Sequence, residues 1–404
     1  MAVNLVAPEA LTAIPGVRLG TAEAAVKKPG RPDVALFAFD EGTTLAAVYT
    51  RNAFAAAPVQ LARIRSAAGA ARALLINSGN ANAGTGAAGL ADATTLCRHT
   101  ADALDVEEDA VLPFSTGVIG ERLPVDRLKA AIPAAVDALR EDGWLAAARA
   151  IMTTDTLPKG ASRQVRLASG ATVSITGIAK GSGMIRPDMA TMLAFVGTDA
   201  AVRPDALRVL LEEAAGASFN RISVDGDTST NDACVLFATG RGESLAPGDA
   251  DWPAFAAAVT AVCRTLAQAI VRDGEGATKF VTVDVSGARD ADEARRAAFT
   301  VAESPLVKTA CFAGDPNWGR ILAAVGRAGL TDFDIDRVSI RLDDVVIVRD
   351  GQPADDYREA DADAVMAAPE FVIGIELGRG DAGTEVWTCD LSYDYVRINA
   401  EYRS

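Results

Sequence analysis

One hydroxyl residue, Thr191, stands directly behind a constrained turn in the stretch KGSGMIRPDMATMLAF, residues 180–195. Gly181 and Gly183 permit positive φ, and Pro187 fixes its own φ while restricting Arg186 before it. An apolar, strand-like run, MLAFV, follows. A threonine so placed is either a nucleophile presented by the turn or the first residue of a strand. Few bases could serve it. The chain has one histidine, His99. In GLADATTLCRHTADAL it falls off the helical stripe of Leu90, Ala93, Cys97, Ala101 and Leu104, which predicts a solvent-facing position. Ser-His-Asp or Cys-His chemistry would need that one residue. The candidate base is therefore a carboxylate, a lysine or an α-amine.

Other stretches could shape a site around such a group. In EDAVLPFSTGVIG (108–120) a short apolar strand, Val111 to Phe114, ends in Ser115-Thr116-Gly117. A Thr-Gly pair there can aim a hydroxyl and a main-chain N–H at one point, as an oxyanion requires, although turns of this composition are also commonplace. NSGNANAGTG (77–86) follows a strand expected to end at Ile76, and reads equally as a pocket wall or an ordinary connection. SVDGDTSTND (223–232) carries Asp225, Asp227 and Asp232 but lacks the spacing and closing glutamate of an EF-hand. No metal is expected there; the loop reads as a polar wall or a hairpin loop. RDGEGATKF (272–280) sets Glu275 between two glycines, where the backbone can approach a ligand closely. It is not a phosphate loop. GDPNWGR (314–320) opens a helix.

The elements that must position these residues alternate between strand and helix patterns. VALFAFD (34–40) and LAAVYTR (45–51) around EGTT read as a hairpin. A helix follows, entering the strand that ends at Ile76. Two Ala- and Leu-rich helices occupy 123–141 and 143–152, the second ending in Met152-Thr153-Thr154-Asp155. Alternating strands across 163–179 meet at Ser169-Gly170 and lead into Lys180. Helices cover 204–219, with Pro204 in the first turn, and 251–271. The C-terminal third reads mostly as strands, VSIRLDDVVIVRDG, FVIGIELG and EVWTCDLSYDYVRI, the chain stopping soon after the last. The class is α/β or α+β with small-residue loops after strands.

Composition bounds the function. At 404 residues the chain exceeds one compact core and predicts two or more lobes. No run approaches the roughly 20 uninterrupted apolar residues of a membrane helix. The N-terminus lacks a basic region followed by an apolar one, so no secretory signal is expected. Cys97, Cys234, Cys263, Cys311 and Cys389 are scattered and form no CxxC pair, which predicts reduced thiols, a cytoplasmic location and no structural zinc. Net charge is 39 − 54 = −15, opposing nucleic acid or an anionic membrane as the main partner. A small anionic substrate in a locally basic pocket remains open.

NSGNANAGTG, STGVIG, KGSGMIRPDMATML, SVDGDTSTNDA, RDGEGATKF, GDPNWGR and the C-terminal NAEYRS, in this order and over nearly the whole chain, resemble the ornithine acetyltransferase (glutamate N-acetyltransferase) family of arginine biosynthesis. Two positions depart from the family pattern, Gly84 where cysteine is usual and Asp188 where asparagine is usual. The resemblance implies an αββα-type sandwich with an additional smaller α/β lobe. It implies self-cleavage at Ala190-Thr191, giving an α chain of 1–190 and a β chain of 191–404, assembled as an α₂β₂ heterotetramer. Strain at the scissile peptide would favour the attack of Thr191 Oγ on the Ala190 carbonyl.

Cleavage would also supply the missing base. The new α-amine, with an ordinary pKa of about 7.7–8.0, can accept the proton of its own hydroxyl. The resemblance then implies that Thr191 takes acetyl from N-acetylornithine and passes it to glutamate. Thr116 and Gly117 match the oxyanion pair, and Thr153, Lys180, Thr191, Glu275, Asn399 and Ser404 match the substrate-binding positions. Thr154 would fit almost as well as Thr153. Lys180 suits an α-carboxylate and Glu275 the ornithine ammonium. No cofactor is expected, with acetyl-CoA open as a second acetyl donor. Two other readings stay in view, a self-cleaving hydrolase or aminopeptidase of related fold, and a binding protein that never cleaves.

Overall fold

The computed structural model describes residues 2–186 and 192–401. The chain divides into two compact units. One comprises Val6–Asn220 and Thr228–Ile270, the other Met1–Leu5, Arg221–Asp227 and Val271–Ser404. The Ala190-Thr191 bond falls within the span of the first.

The first strands and helices are β1 (Val17–Ala22), β2 (Val34–Phe39), β3 (Thr44–Tyr49), α1 (Ala57–Ser66), β4 (Ala73–Asn80), α2 (Gly86–Leu104) and β5 (Val111–Val118). Next come α3 (Val125–Asp137), α4 (Trp144–Ala150), β6 (Lys159–Arg166), β7 (Thr172–Lys180), β8 (Leu193–Thr198) and α5 (Pro204–Gly216). β9 (Ile222–Ser223), β10 (Ala233–Ala238), α6 (Trp252–Arg272) and β11 (Phe280–Ala288) follow. The remainder is α7 (Ala291–Ala302), α8 (Pro305–Ala313), α9 (Trp318–Gly326), β12 (Ser339–Leu342), β13 (Val345–Arg349), β14 (Gln352–Pro353), α10 (Glu359–Ala367), β15 (Glu370–Glu376), β16 (Ala382–Cys389) and α11 (Tyr393–Ala400).

The larger unit is the αββα sandwich that the motifs implied. One sheet runs β1-β2-β4-β5, the other β3-β10-β8-β7-β6. Their facing sides share a core that includes Phe37, Phe114, Phe195, Phe237, Ile178 and Trp144. Phe114 meets Phe195 edge-on at 5.2 Å. On the outer face of the first sheet, Leu36 and Leu75 pack with Leu96, Leu128 and Ile132 of α2 and α3. On the outer face of the second, Gly177 of β7 leaves room that Val262 and Leu266 of α6 fill. Strands covered on both faces have little use for polar side chains, so β2, β8 and β10 are apolar runs rather than alternating ones.

The smaller unit is built on a seven-stranded mixed sheet, β14-β13-β12-β15-β11-β16-β9. Its core joins Val283, Ile340 and Ile375 to Ala294, Ala298 and Val301 of α7. Helix α6 is long and apolar enough to cross a membrane by length and composition, but half of that window is buried inside the protein.

Several sequence expectations change. The run 34–51 is not a hairpin: β2 pairs with β1 and β4, whereas β3 pairs with β10 in the facing sheet. The turn between them therefore crosses from sheet to sheet, because both strands have two apolar faces to bury. Likewise 223–232 is not a hairpin loop, since β9 pairs with β16 and β10 with β8. The segment YDYVRI is helix α11 rather than strand, with Ser392 at its N-cap and Asp394 in its first turn. Its aromatic and branched residues are exposed or half-buried, so no sheet face claims them. On α2, Leu90 is exposed and His99 half-buried. The buried face keeps Ala93, Cys97 and Ala101 of the expected stripe and adds Gly89, Leu96 and Thr100.

Candidate active site

Both polar strand ends singled out in the sequence continue as strand. β4 runs on to Asn80 and β5 to Val118, and their parallel register sets Asn77 beside Ser115, Ser78 beside Thr116 and Gly79 beside Gly117. The ladder loses register at Gly79 and Asn80, the kind of interruption that re-aims main-chain groups. Gly117 sits at φ +134, and a Cβ there would lie 2.3 Å from the Gly79 carbonyl carbon and 2.5 Å from the Asn80 nitrogen. Only glycine fits so close an approach.

Buried polar side chains hold these ends together. Ser115 Oγ donates to Asn77 Oδ1 at 2.6 Å. Asn231 donates both amide protons, to the Ala81 and Ser115 carbonyls at 2.6 and 2.9 Å. Ser78 Oγ donates to the Ala150 carbonyl at 2.8 Å. Each buried donor named here is matched by an acceptor, which makes such a polar cluster tolerable in a core.

Lys180 closes β7 and is buried, its Nζ donating to Thr116 Oγ1 at 3.2 Å. An ammonium has no lone pair, so the Thr116 oxygen must accept, and its own O–H proton is released to point elsewhere. That proton, beside a positive charge, is suited to an oxyanion. Thr116 and Lys180 line one cavity with Gly183, Met184, Ile185, Met192, Leu193, Ser229, Asn231 and Asp232. Met184 adopts φ +54, a left-handed conformation that costs a non-glycine residue on the order of 1–2 kcal/mol and marks the cavity wall as strained.

A second carboxylate, Asp155, fixes the turn after Lys180. Its Oδ1 accepts from Lys159 Nζ at 2.7 Å and from the Gly181 N–H at 2.7 Å, and its Oδ2 accepts from the Thr153 N–H at 2.9 Å. Both side chains of the Asp155–Lys159 pair are fully buried. Burial opposes ionisation of Asp155, yet Lys159, Lys180 and the Gly181 N–H together hold it well below the usual carboxylate range. Thr154 Oγ1 and Ser182 Oγ share a hydrogen bond at 2.7 Å, so Thr153 and Thr154 both lie against this turn. Asp232 titrates oppositely. Burial pushes its carboxyl well above the usual range, while Ser229 and Lys180 pull less strongly downward.

In the smaller unit Glu275 and Asn399 meet. Asn399 Nδ2 donates to Glu275 Oε2 at 2.9 Å. Gly276 at φ +71 would, with a Cβ, come within 2.5 Å of the Tyr395 nitrogen, so α11 packs directly on the backbone next to Glu275. Tyr395 Oη donates to Asp225 Oδ2 at 3.3 Å. Burial and the nearby Asp225 and Glu275 carboxylates raise its phenol strongly.

The structure therefore brings Thr116, Gly117 and Lys180 together with the Thr153-Thr154 turn in one unit, and Glu275 with Asn399 in the other. Ala190, Thr191, Ser404 and Asp188 lie outside the described residues. Asn77, Ser115, Asp155, Asn231 and Asp232 carry the local geometry without having been singled out as site residues. Asn231-Asp232 had a signal, since they immediately precede the strand that pairs with MLAFV.

Comparison with known proteins decides the family. The model of the ArgJ family matches residues 18–404. The chain belongs to the ArgJ family. It is 59% identical over 398 residues, 98% of this chain and 97% of the other, to the arginine biosynthesis bifunctional protein ArgJ of Methylococcus capsulatus. Identity to the protein of that description from Pseudomonas syringae pv. tomato is 53% over 407 residues, covering all of both. Among solved structures, ArgJ of Bacillus halodurans is 41% identical, covering 51% of this chain and 97% of that one with a TM-score of 0.49. Ornithine acetyltransferase of Mycobacterium tuberculosis, complexed with ornithine, is 38% identical, covering 45% and 96% with a TM-score of 0.42. As the ordered motifs implied, the protein is an acyltransferase of arginine biosynthesis.

Proposed function

We propose that the protein moves acetyl from N-acetyl-L-ornithine to L-glutamate through an ester on Thr191, after cutting itself between Ala190 and Thr191. The observation that carries this is the buried contact of Lys180 with Thr116, in a cavity that Met192 also lines. Thr191 is the residue before Met192. In the proposed cycle Thr191 Oγ attacks the acetyl carbonyl and its α-amine takes the hydroxyl proton. The Thr116 hydroxyl and the Gly117 N–H stabilise the oxyanion. Lys180 pairs with the substrate α-carboxylate, Glu275 and Asn399 with the ornithine side chain, and Thr153 and Ser404 complete the binding positions. Glutamate then takes the acetyl group, giving N-acetylglutamate. The α₂β₂ assembly of chains 1–190 and 191–404 and a cytoplasmic location belong to this reading.

Denaturing electrophoresis of the purified protein tests the first step. Two bands near half of the 41.7 kDa chain mass are expected, and a single intact band overturns cleavage. Acetylated β chain, seen by mass spectrometry after incubation with N-acetylornithine, should be discharged by glutamate. Discharge by water alone would favour the hydrolase instead. The word "bifunctional" in the description of relatives supports a second activity, N-acetylglutamate from acetyl-CoA and glutamate. Assaying that reaction without acetylornithine checks it.

A further inference from the structure

Among the polar side chains that line the Thr116–Lys180 cavity, Asp232 is bonded differently from the rest. Asn231 spends both amide protons on main-chain carbonyls, and Lys180 donates to Thr116. Asp232 is 3% exposed. Its Oδ2 is buried with no hydrogen-bond partner among the described residues. A buried polar atom left unsatisfied costs about 1–3 kcal/mol, and in a native protein it calls for a reason. Purely structural service does not provide one. The backbone of this residue already does that work, since its carbonyl accepts from the Thr50 N–H at 3.0 Å and the next N–H, of Ala233, donates to the Met192 carbonyl at 2.8 Å. These bonds set Asp232 beside Met192, next in sequence to Thr191.

We propose that Asp232 is a catalytic acid and base of this site, giving a proton to the amine that leaves and taking one from the amine that enters. The inference rests on the acetyl-Thr191 reading above. In the first half-reaction the Thr191 Oγ–carbon bond forms and the amide C–N bond breaks. The hydroxyl proton passes to the Thr191 α-amine, and the departing nitrogen takes the proton of Asp232 Oδ2, leaving a carboxylate. In the second, the acceptor nitrogen bonds to the acetyl carbon and the C–O bond breaks. The acceptor's proton returns to Asp232 and the α-ammonium returns its own to Thr191 Oγ. Atoms and charges balance over the cycle with no further reagent. The burial that raises the Asp232 carboxyl favours its protonated form, the form from which a general acid gives its proton.

The donor's leaving group separates this role from a structural one. An amide nitrogen must be protonated to leave, whereas p-nitrophenolate leaves unaided. In the processed enzyme, Asp232→Asn should acetylate from p-nitrophenyl acetate within about threefold of wild type, while acetylation from N-acetylornithine falls by about 10²–10⁴, the usual worth of a positioned acid. Asp232→Glu should recover at least tenfold of the amide rate. Equal loss with both donors, or loss with neither, overturns the assignment. If D232N does not fold, infrared difference spectra of wild type decide. The protonated-carboxyl C=O band should bleach on acetylation by the amide donor but not by the ester, and bleaching with both or neither overturns it. Wild type that forms no acetyl-enzyme with either donor instead defeats the underlying reading.

Discussion

The Thr116–Lys180 cluster and the Glu275–Asn399 pair each lean on a glycine that admits no side chain, but they are held very differently. In the larger unit the polar groups sit between two sheets, with Lys180 and Thr116 buried and Asp155 anchored by Lys159, Gly181 and Thr153. In the smaller unit Glu275 is buried, but it accepts a hydrogen bond from Asn399, an exposed residue on α11, a helix with no buried residues. A group meant to stabilise developing charge must be pre-set, because reorganising it during reaction forfeits the benefit. A group that grips a flexible substrate arm gains from being adjustable. The two places suit the two duties that the proposed function gives them.

The sharpest way to break the contrast is Asp155→Ala. It removes the carboxylate that pairs with the buried Lys159 ammonium and should cost about 3–5 kcal/mol, read as a large drop in denaturation midpoint. A change under about 1 kcal/mol would mean that the pair is not what locks the turn. Thr116→Val comes next, keeping the shape but removing the hydroxyl. It should lower kcat on the order of 10²–10³-fold with stability little altered, and unchanged kcat would remove Thr116 from the oxyanion site. Acid exposes the same anchoring gradually. Asp155 titrates lower in the folded than in the unfolded chain, so its stabilisation is complete above the ordinary value of about 3.9 and disappears as pH falls below it. Asp155→Asn should flatten that acid limb of the stability curve. Asn399→Ala should be mildest, shifting stability by less than about 0.5 kcal/mol while raising the KM for acetylornithine severalfold with kcat kept. A fall in kcat with KM unchanged would place Asn399 with the rigid cluster instead.

Much of this was legible in the chain. Long apolar runs and helical stripes announced the α/β class, and seven short motifs in order announced the family, because their residue types are dictated by local backbone needs. Thr116, Gly117, Lys180 and Glu275 could be named for the same reason. Each is a chemically distinctive residue at a glycine-rich turn. Asp155 and Asn231 could not, since an aspartate after two threonines and an asparagine in a polar loop look like many others. Asp155 acquires meaning from Lys159 nearby and from Gly181 at the end of another strand, and Asn231 from Ala81 and Ser115 far back in the chain.

The sequence by itself determined the family and, with one histidine in the chain, narrowed the candidate base to a carboxylate, a lysine or an α-amine. Tertiary structure alone decided which strands and side chains meet. Apolar periodicity reports that a strand is buried but not which sheet buries it, so β2 and β3 read as a hairpin and belong to opposite sheets. Pairing between distant strands is a matter of register. It is register that sets Thr116 beside Ser78 and Ala233 beside Leu193, closing the cavity that leaves one oxygen of Asp232 without a partner among the described residues.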